Sequence, residues 1–231
     1  MFRNILIAAA VIPAVWLLVK VYREDRLEPE PPRLLLMLVL MGIVSTILAS
    51  LTEQAGILLL GRLFNGSELM FDILLYYVVV GLSEEGFKYL VLKKRTWRSP
   101  EFNCQFDGVV YAVSVSLGFA LWENISYVLR FGLITAMVRA VTAVPGHACF
   151  GVFMGVWYGL AKRYEAAGDT ARASSARVAA VLVPTLLHGT YDFIASQTET
   201  AVSLVFVAFV AVMFTIAYRL VKRAAQNDQY I

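Results

Sequence analysis

Leu74-Leu75-Tyr76-Tyr77-Val78-Val79-Val80-Gly81-Leu82-Ser83-Glu84-Glu85-Gly86-Phe87-Lys88 sets an apolar run directly against three ionisable side chains. It lies inside a longer apolar stretch, 69–92, close to the roughly 20 residues that a helix needs to cross a bilayer. Ionisable groups at the centre of such a helix cost about 2.5–3.5 kcal/mol each on insertion scales. Yet the conjunction recurs along the chain. Glu123 lies in the apolar stretch 107–130, His147 in 133–161, and His188 and Asp192 in 178–197. Both histidines of the chain are therefore in apolar segments. The six carboxylates and histidines among them, types suited to acid–base work or metal binding, point to a polar site enclosed within a membrane protein.

The bulk properties agree. Of 231 residues, 59% are hydrophobic, and the mean hydropathy is +0.69. A soluble domain has roughly 45–50% apolar residues. The excess is spread over the whole chain, so 1–231 reads as one integral-membrane domain of the all-α class. Seven apolar stretches give a polytopic helical bundle: 2–21, 34–60, 69–92, 107–130, 133–161, 178–197 and 201–221. The net charge of +3 gives no electrostatic case for nucleic acid; the lipid bilayer is the expected surroundings. Cys104 and Cys149 form neither a disulfide framework nor a CxxC metal motif.

Basic residues alternate between loops. The first loop holds Arg23, Arg26 and Arg33, the third Lys93, Lys94, Arg95 and Arg98, and the fifth Lys162, Arg163, Arg172 and Arg177. The tail holds Arg219, Lys222 and Arg223, whereas the loop near 61–68 has only Arg62 and the loop Thr198 to Thr200 has no base. The tight turn near Gly132, flanked by Arg130 and Arg139, is ambiguous. By the positive-inside rule the N-terminus is outside and the C-terminus inside. The first stretch is longer than a signal-peptide core and its stronger basic cluster follows it, so it is read as a retained helix. Glu28-Pro29-Glu30-Pro31-Pro32 ends it as a stiff loop.

Four constellations carry the chemistry. In Ser83-Glu84-Glu85-Gly86-Phe87-Lys88 the adjacent carboxylates point about 100° apart, and Lys88 can pair with either. Trp122-Glu123-Asn124 sets a carboxylate beside an amide. Pro145-Gly146-His147 suggests a kink just before the histidine, and Gly151, Gly155 and Gly159 continue its face as a small-residue stripe. His188 and Asp192 stack at i, i+4, about 6 Å apart along the axis. There is no HExxH, GxSxG or P-loop motif. Carboxylates and histidines suit activation of water. His147, His188 and a glutamate such as Glu85 would meet the ligand count of a catalytic zinc; a metal-free glutamate base is the competing chemistry.

At these residues the chain resembles the PrsW family of intramembrane proteases, within the wider Abi/CAAX-protease superfamily. The resemblance rests on Glu84-Glu85-Gly86-Phe87-Lys88, on Phe106-Asp107-Gly108-Val109-Val110-Tyr111-Ala112 running to Gly118-Phe119-Ala120 and Glu123-Asn124, on His147, and on His188-Gly189-Thr190-Tyr191-Asp192-Phe193. It covers nearly the whole chain. It implies a membrane-embedded endopeptidase of the bacterial plasma membrane, making the first cut in a membrane-anchored anti-sigma factor on its extracytoplasmic side. It also implies a site built from Glu84, Glu85, His147 and the HxxxD of His188 and Asp192; on the reading of the residues, Glu84, Glu85, His147 and His188 carry the catalysis, with Lys88, Glu123, Asn124 and Asp192 in support. The family is classed with metallopeptidases, whereas the related CAAX endopeptidases are argued to use a glutamate-activated water. Asp192 stands where the wider superfamily often has Asn, and Lys88 where it often has Arg, so bidentate pairing is lost there. A proton-coupled transporter using the same groups as a relay is the alternative reading; a scaffold without chemistry would have no need of the full set.

Overall fold

The computed structural model describes residues 2–197 and 199–231; Thr198, in the sixth loop, lies outside the described residues. Among the described residues the elements are helical, apart from one isolated bridge between Cys104 and Tyr230: α1 (Phe2–Tyr22), α2 (Pro32–Leu63), α3 (Glu68–Ile73), a π-helical segment (Leu74–Gly81), α4 (Leu82–Thr96), α5 (Asp107–Phe131), α6 (Leu133–Val141), α7 (Ala143–Ala166), α8 (Thr170–Ala195) and α9 (Thr200–Gln226). Five helical stretches are long and apolar enough to cross a membrane: α2, α5, α6 with α7, α8 and α9. The rod α3–π–α4 carries Glu84, Glu85, Lys88 and a basic last turn.

Local sequence explains the boundaries. Pro32 opens α2, where its missing N–H is not needed. Ser67 caps α3 by accepting from the Met70 amide at 3.4 Å, and Asp169 caps α8 by accepting from the Arg172 amide at 2.9 Å. Gly132, at φ +85°, allows the sharp break between α5 and α6. The expected continuous helix over 133–161 is interrupted at Thr142, between α6 and α7. Pro145 therefore sits in the first turn of α7 rather than kinking an interior, because the first turn has no intrahelical donor to lose.

α5 is the central helix, buried at every position from Asp107 to Ala120. Two close approaches lock it in. A Cβ at Gly42 of α2 would run into the Val115 carbonyl, and one at Gly118 would run into Val39. On its other side the stripe Gly151, Gly155, Gly159 of α7 lies on Val113, Gly108 and Gln105. Association in lipid depends on such contact rather than on expelling water. The outward faces are apolar: Leu36, Leu40, Leu51 and Leu58 on α2, and Leu204, Val207 and Val212 on α9.

One end of the bundle gathers the basic loops. Lys222 pairs with Glu24 at 2.6 Å, Asn103 donates to Glu28 at 3.2 Å, and the tail joins the 97–106 loop through the Gln105 amide and the Gln229 carbonyl at 3.1 Å. Lys162 donates to the Trp97 carbonyl at 2.8 Å, and the Trp97 indole to Glu165 at 3.0 Å. Loops one, three and five and the tail thus share an end.

Candidate active site

Lys88 is the hub. Its ammonium is fully buried and donates to Glu84 Oε2 at 3.2 Å, Glu85 Oε1 at 2.8 Å and His147 Nδ1 at 3.1 Å. Three acceptors use all three of its N–H groups. Because the ammonium can only donate, His147 accepts at Nδ1, and its Nε2–H donates to Glu123 Oε2 at 2.8 Å. Arg139 closes that side, reaching Glu123 Oε2 at 2.8 Å and Asn124 Oδ1 at 3.0 Å. On the other side His188 Nδ1 lies 2.9 Å from Glu85 Oε1 and 3.8 Å from Glu84 Oε2. Its Nε2 is 3.4 Å from Asp192 Oδ2, across one helical turn.

Aromatic rings fix the two imidazoles. Phe150 stacks on His188 at 4.6 Å between centroids, and the Phe119 ring lies 3.9 Å beneath the Lys88 ammonium. The histidine rings themselves are 5.2 Å apart. The π-helical segment ends at Gly81, three residues before Glu84, and is tied to α8 by a 2.9 Å bond between the hydroxyls of Tyr77 and Thr190. Its i→i+5 turns reset the phase of α4, a device often found beside functional sites. Both carboxylates are buried although they point in different directions, because α4 is packed against α2, α5 and α8.

The directions differ in consequence. Glu84 borders a cavity of about 710 Å³, together with Glu123, His147, His188 and Asp192. Glu85 and Lys88 lie behind that wall. Asn124 also points elsewhere, donating to the Ala10 carbonyl of α1 at 3.0 Å, so its tie to the cluster runs through Arg139. Two groups join the site that the sequence reading passed over. Arg139, which in the sequence only flanks the turn near Gly132, is one. Glu53 of α2 borders the cavity with its Oε1 buried and unbonded. A carboxylate inside the apolar stretch 34–60 carried the same signal as the others.

The donor set fits a metal ion. Glu84, Glu85, His147 and His188 each offer one ligand atom, all within 4.8 Å of one another, and Glu85 Oε2 is buried without a partner. Two imidazoles and carboxylates are the chemistry of a divalent transition ion such as zinc. The Lys88 ammonium now satisfies three of those four residues. As a compact charge on a flexible stem, it would have to withdraw for a second cation to enter.

A helical membrane protein with an acid–base centre enclosed among its helices, open to a substrate-sized cavity, has the makings of a membrane-embedded hydrolase. Residues 30–218 match the family described as PrsW family intramembrane metalloprotease. Protease PrsW of Oceanobacillus iheyensis is 32% identical over 222 residues, covering 96% of this chain and 97% of that protein. Protease PrsW of Bacillus subtilis is 35% identical over 189 residues, covering 82% of each. That of Halalkalibacterium halodurans is 32% identical over 225 residues, covering 97% and 99%. No solved structure matches the chain. The chain belongs to the PrsW protease family and is a multi-pass membrane peptidase, a hydrolase. With proteases as its relatives, the transporter reading is not favoured.

Proposed function

We propose that the protein, acting as one unit over 1–231, makes the first cut in a membrane-anchored anti-sigma factor on the extracytoplasmic side of a bacterial plasma membrane. The proposal takes the chain to cross seven times, with the N-terminus outside and the C-terminus inside, as the alternation of basic loops suggests. Glu123 lies 16 residues beyond Asp107 on α5, about 24 Å from the basic end of the bundle. If the basic end is cytoplasmic, the cavity opens toward the opposite face. The paired glutamates Glu84 and Glu85, together with His147 and His188, support a kinship with the wider Abi/CAAX superfamily, from whose usual HxxxN the Asp192 of this chain departs.

The single observation that carries the mechanism is that Glu84, His147, His188 and Asp192 line one cavity while Glu85 and Lys88 support them from behind. A peptide carbonyl in the cavity meets a water whose proton passes to Glu84. The new C–O bond places negative charge on the former carbonyl oxygen. The Nε2–H of His188, which at rest has only the long 3.4 Å contact to Asp192 Oδ2 while Glu85 holds Nδ1 at 2.9 Å, turns from Asp192 to stabilise it. Glu84 returns its proton to the leaving nitrogen as the C–N bond breaks. His147, fixed between Lys88 and Glu123, sets the opposite wall. A zinc ion, held by Glu85, His147 and His188, would supply Lewis-acid polarisation when bound.

The test is cleavage of a membrane-anchored reporter by the purified protein in proteoliposomes. Glu84→Gln, which keeps the shape, should lower cleavage by at least about 10²-fold, as should Glu85→Gln, His147→Ala and His188→Ala. Near-normal cleavage by all four, with folding checked, would remove this site from consideration.

A further inference from the structure

A second carboxylate cluster lies far from the cavity, where the loop after α1 meets the start of α5. Asp25, Glu30 and Asp107 are 5%, 3% and 0% exposed, and one oxygen from each lies within 4.8 Å of the others. Two oxygens bound to one Ca²⁺ at 2.3–2.6 Å are at most about 4.6–5.2 Å apart, so the spacing suits a shared ion. The cluster is pre-set from several directions. Asp107 Oδ2 accepts from the amides of Asn103 at 3.1 Å and Cys104 at 2.7 Å, leaving Oδ1 buried and unbonded. Tyr111 donates to Glu30 Oε2 at 2.7 Å. Neither oxygen of Asp25 makes a hydrogen bond of ordinary geometry, although both are buried.

No Lys or Arg among the described residues pairs with any of the three carboxylates. Buried charges are ordinarily paired or coordinate metals. Asp228, Glu28 and Glu101 add further negative charge nearby. Oxygen-only donors select hard cations over the softer ions that imidazole suits.

We infer that Asp25, Glu30 and Asp107 form a site for a hard divalent cation, Ca²⁺ or Mg²⁺, separate from the Glu/His centre. The ion fastens the 23–31 segment to the first turn of α5, beside the 97–106 loop and the tail. This site stands independently of the proteolytic mechanism, since none of its residues borders the cavity.

The experiment uses the full chain in detergent, depleted of divalent ions and then titrated separately with CaCl₂ and MgCl₂. Bound ion is measured by equilibrium dialysis and stability by thermal melting. One equivalent should bind, with affinity of about 10⁻⁴–10⁻³ M for a site of few ligands, and raise the melting temperature by at least about 3 °C at saturation. Asp25→Asn should weaken binding at least about tenfold and abolish the thermal response. This variant is expected to fold, because Asn keeps the size of the side chain and the replaced oxygens make no hydrogen bond of ordinary geometry. Which salt acts identifies the ion. A chain that neither salt stabilises, or an Asp25→Asn variant that responds like the parent, would overturn the proposal.

Discussion

Removing the Lys88 ammonium isolates the part of the cluster that structure and chemistry make most consequential. Lys88→Met keeps the stem but deletes the charge. Glu84 and Glu85, with side chains 8% and 0% exposed, are then left without the ammonium that now lies 3.2 and 2.8 Å away. His147 loses the donor to Nδ1 at 3.1 Å. Breaking a buried pair by removing one partner costs about 3–5 kcal/mol, because an uncompensated charge stays buried. For a chain of this size each kcal/mol shifts the midpoint by about 2–4 °C, so melting should fall by about 6–20 °C. Thermal unfolding of the purified, metal-depleted protein in detergent reads this directly. Lys88→Met/Glu85→Gln removes charge on both sides and should recover at least half of the loss. Zinc should also recover part of it, since the vacated position suits a cation. A single variant melting within about 1 °C of the parent, or a double variant no better than the single, would refute the reasoning.

Three other outcomes are expected. Single cysteines at Asn65 and Thr170 should be labelled from opposite sides of the membrane by an impermeant thiol reagent, in a background lacking Cys104 and Cys149; the same side for both rejects the seven-span reading. Arg139→Ala should cut reporter cleavage by about 10–100-fold by releasing Glu123 and hence His147, and Arg139→Lys should rescue little because the fork that reaches both Glu123 and Asn124 is gone. A zinc-selective chelator should lower cleavage at least about tenfold, with recovery on adding one equivalent of zinc; undiminished cleavage by metal-free protein would assign the water to Glu84 alone, with the histidines as donors to the oxyanion.

Glu84, Glu85, His147, His188 and Asp192 were legible because an ionisable side chain stands out against an apolar run. Glu53 stood out for the same reason and was passed over. What the sequence withheld was pairing. Nothing in local spacing says that Lys88 reaches a histidine 59 positions away, or that Arg139 turns back to Glu123. The latter follows from the break at Thr142, which makes α6 a separate short helix lying against the bundle. The π-helical segment was equally hidden. Leu74 to Val80 is apolar at every position, so no periodicity separates i→i+5 from i→i+4 turns. Even the small-residue stripe of α7 told only that some helix comes close; that it is α5 depends on the matching gap at Gly108.

The charge balance of the cluster gives these contacts a common logic. A continuous circuit runs from Arg139 through Glu123, His147, Lys88 and Glu85 to His188 and Asp192, each link 2.8–3.4 Å long. Along it and at its side stand four carboxylates, those of Glu84, Glu85, Glu123 and Asp192, against two fixed cations, Lys88 and Arg139. Glu53 widens the deficit. A buried site of this kind needs the missing positive charge from somewhere. A divalent ion supplies two units, less the one that the withdrawing Lys88 ammonium takes away, and protons on the imidazoles supply them singly. Either way the balance must change when substrate arrives, because the oxyanion adds another negative charge. A cluster short of positive charge at rest is a poor host for an oxyanion unless a cation or a proton comes with it. That requirement is met either by a divalent ion at the Glu/His group or by an N–H that His188, with one ring nitrogen toward Glu85 and the other toward Asp192, turns to the oxyanion.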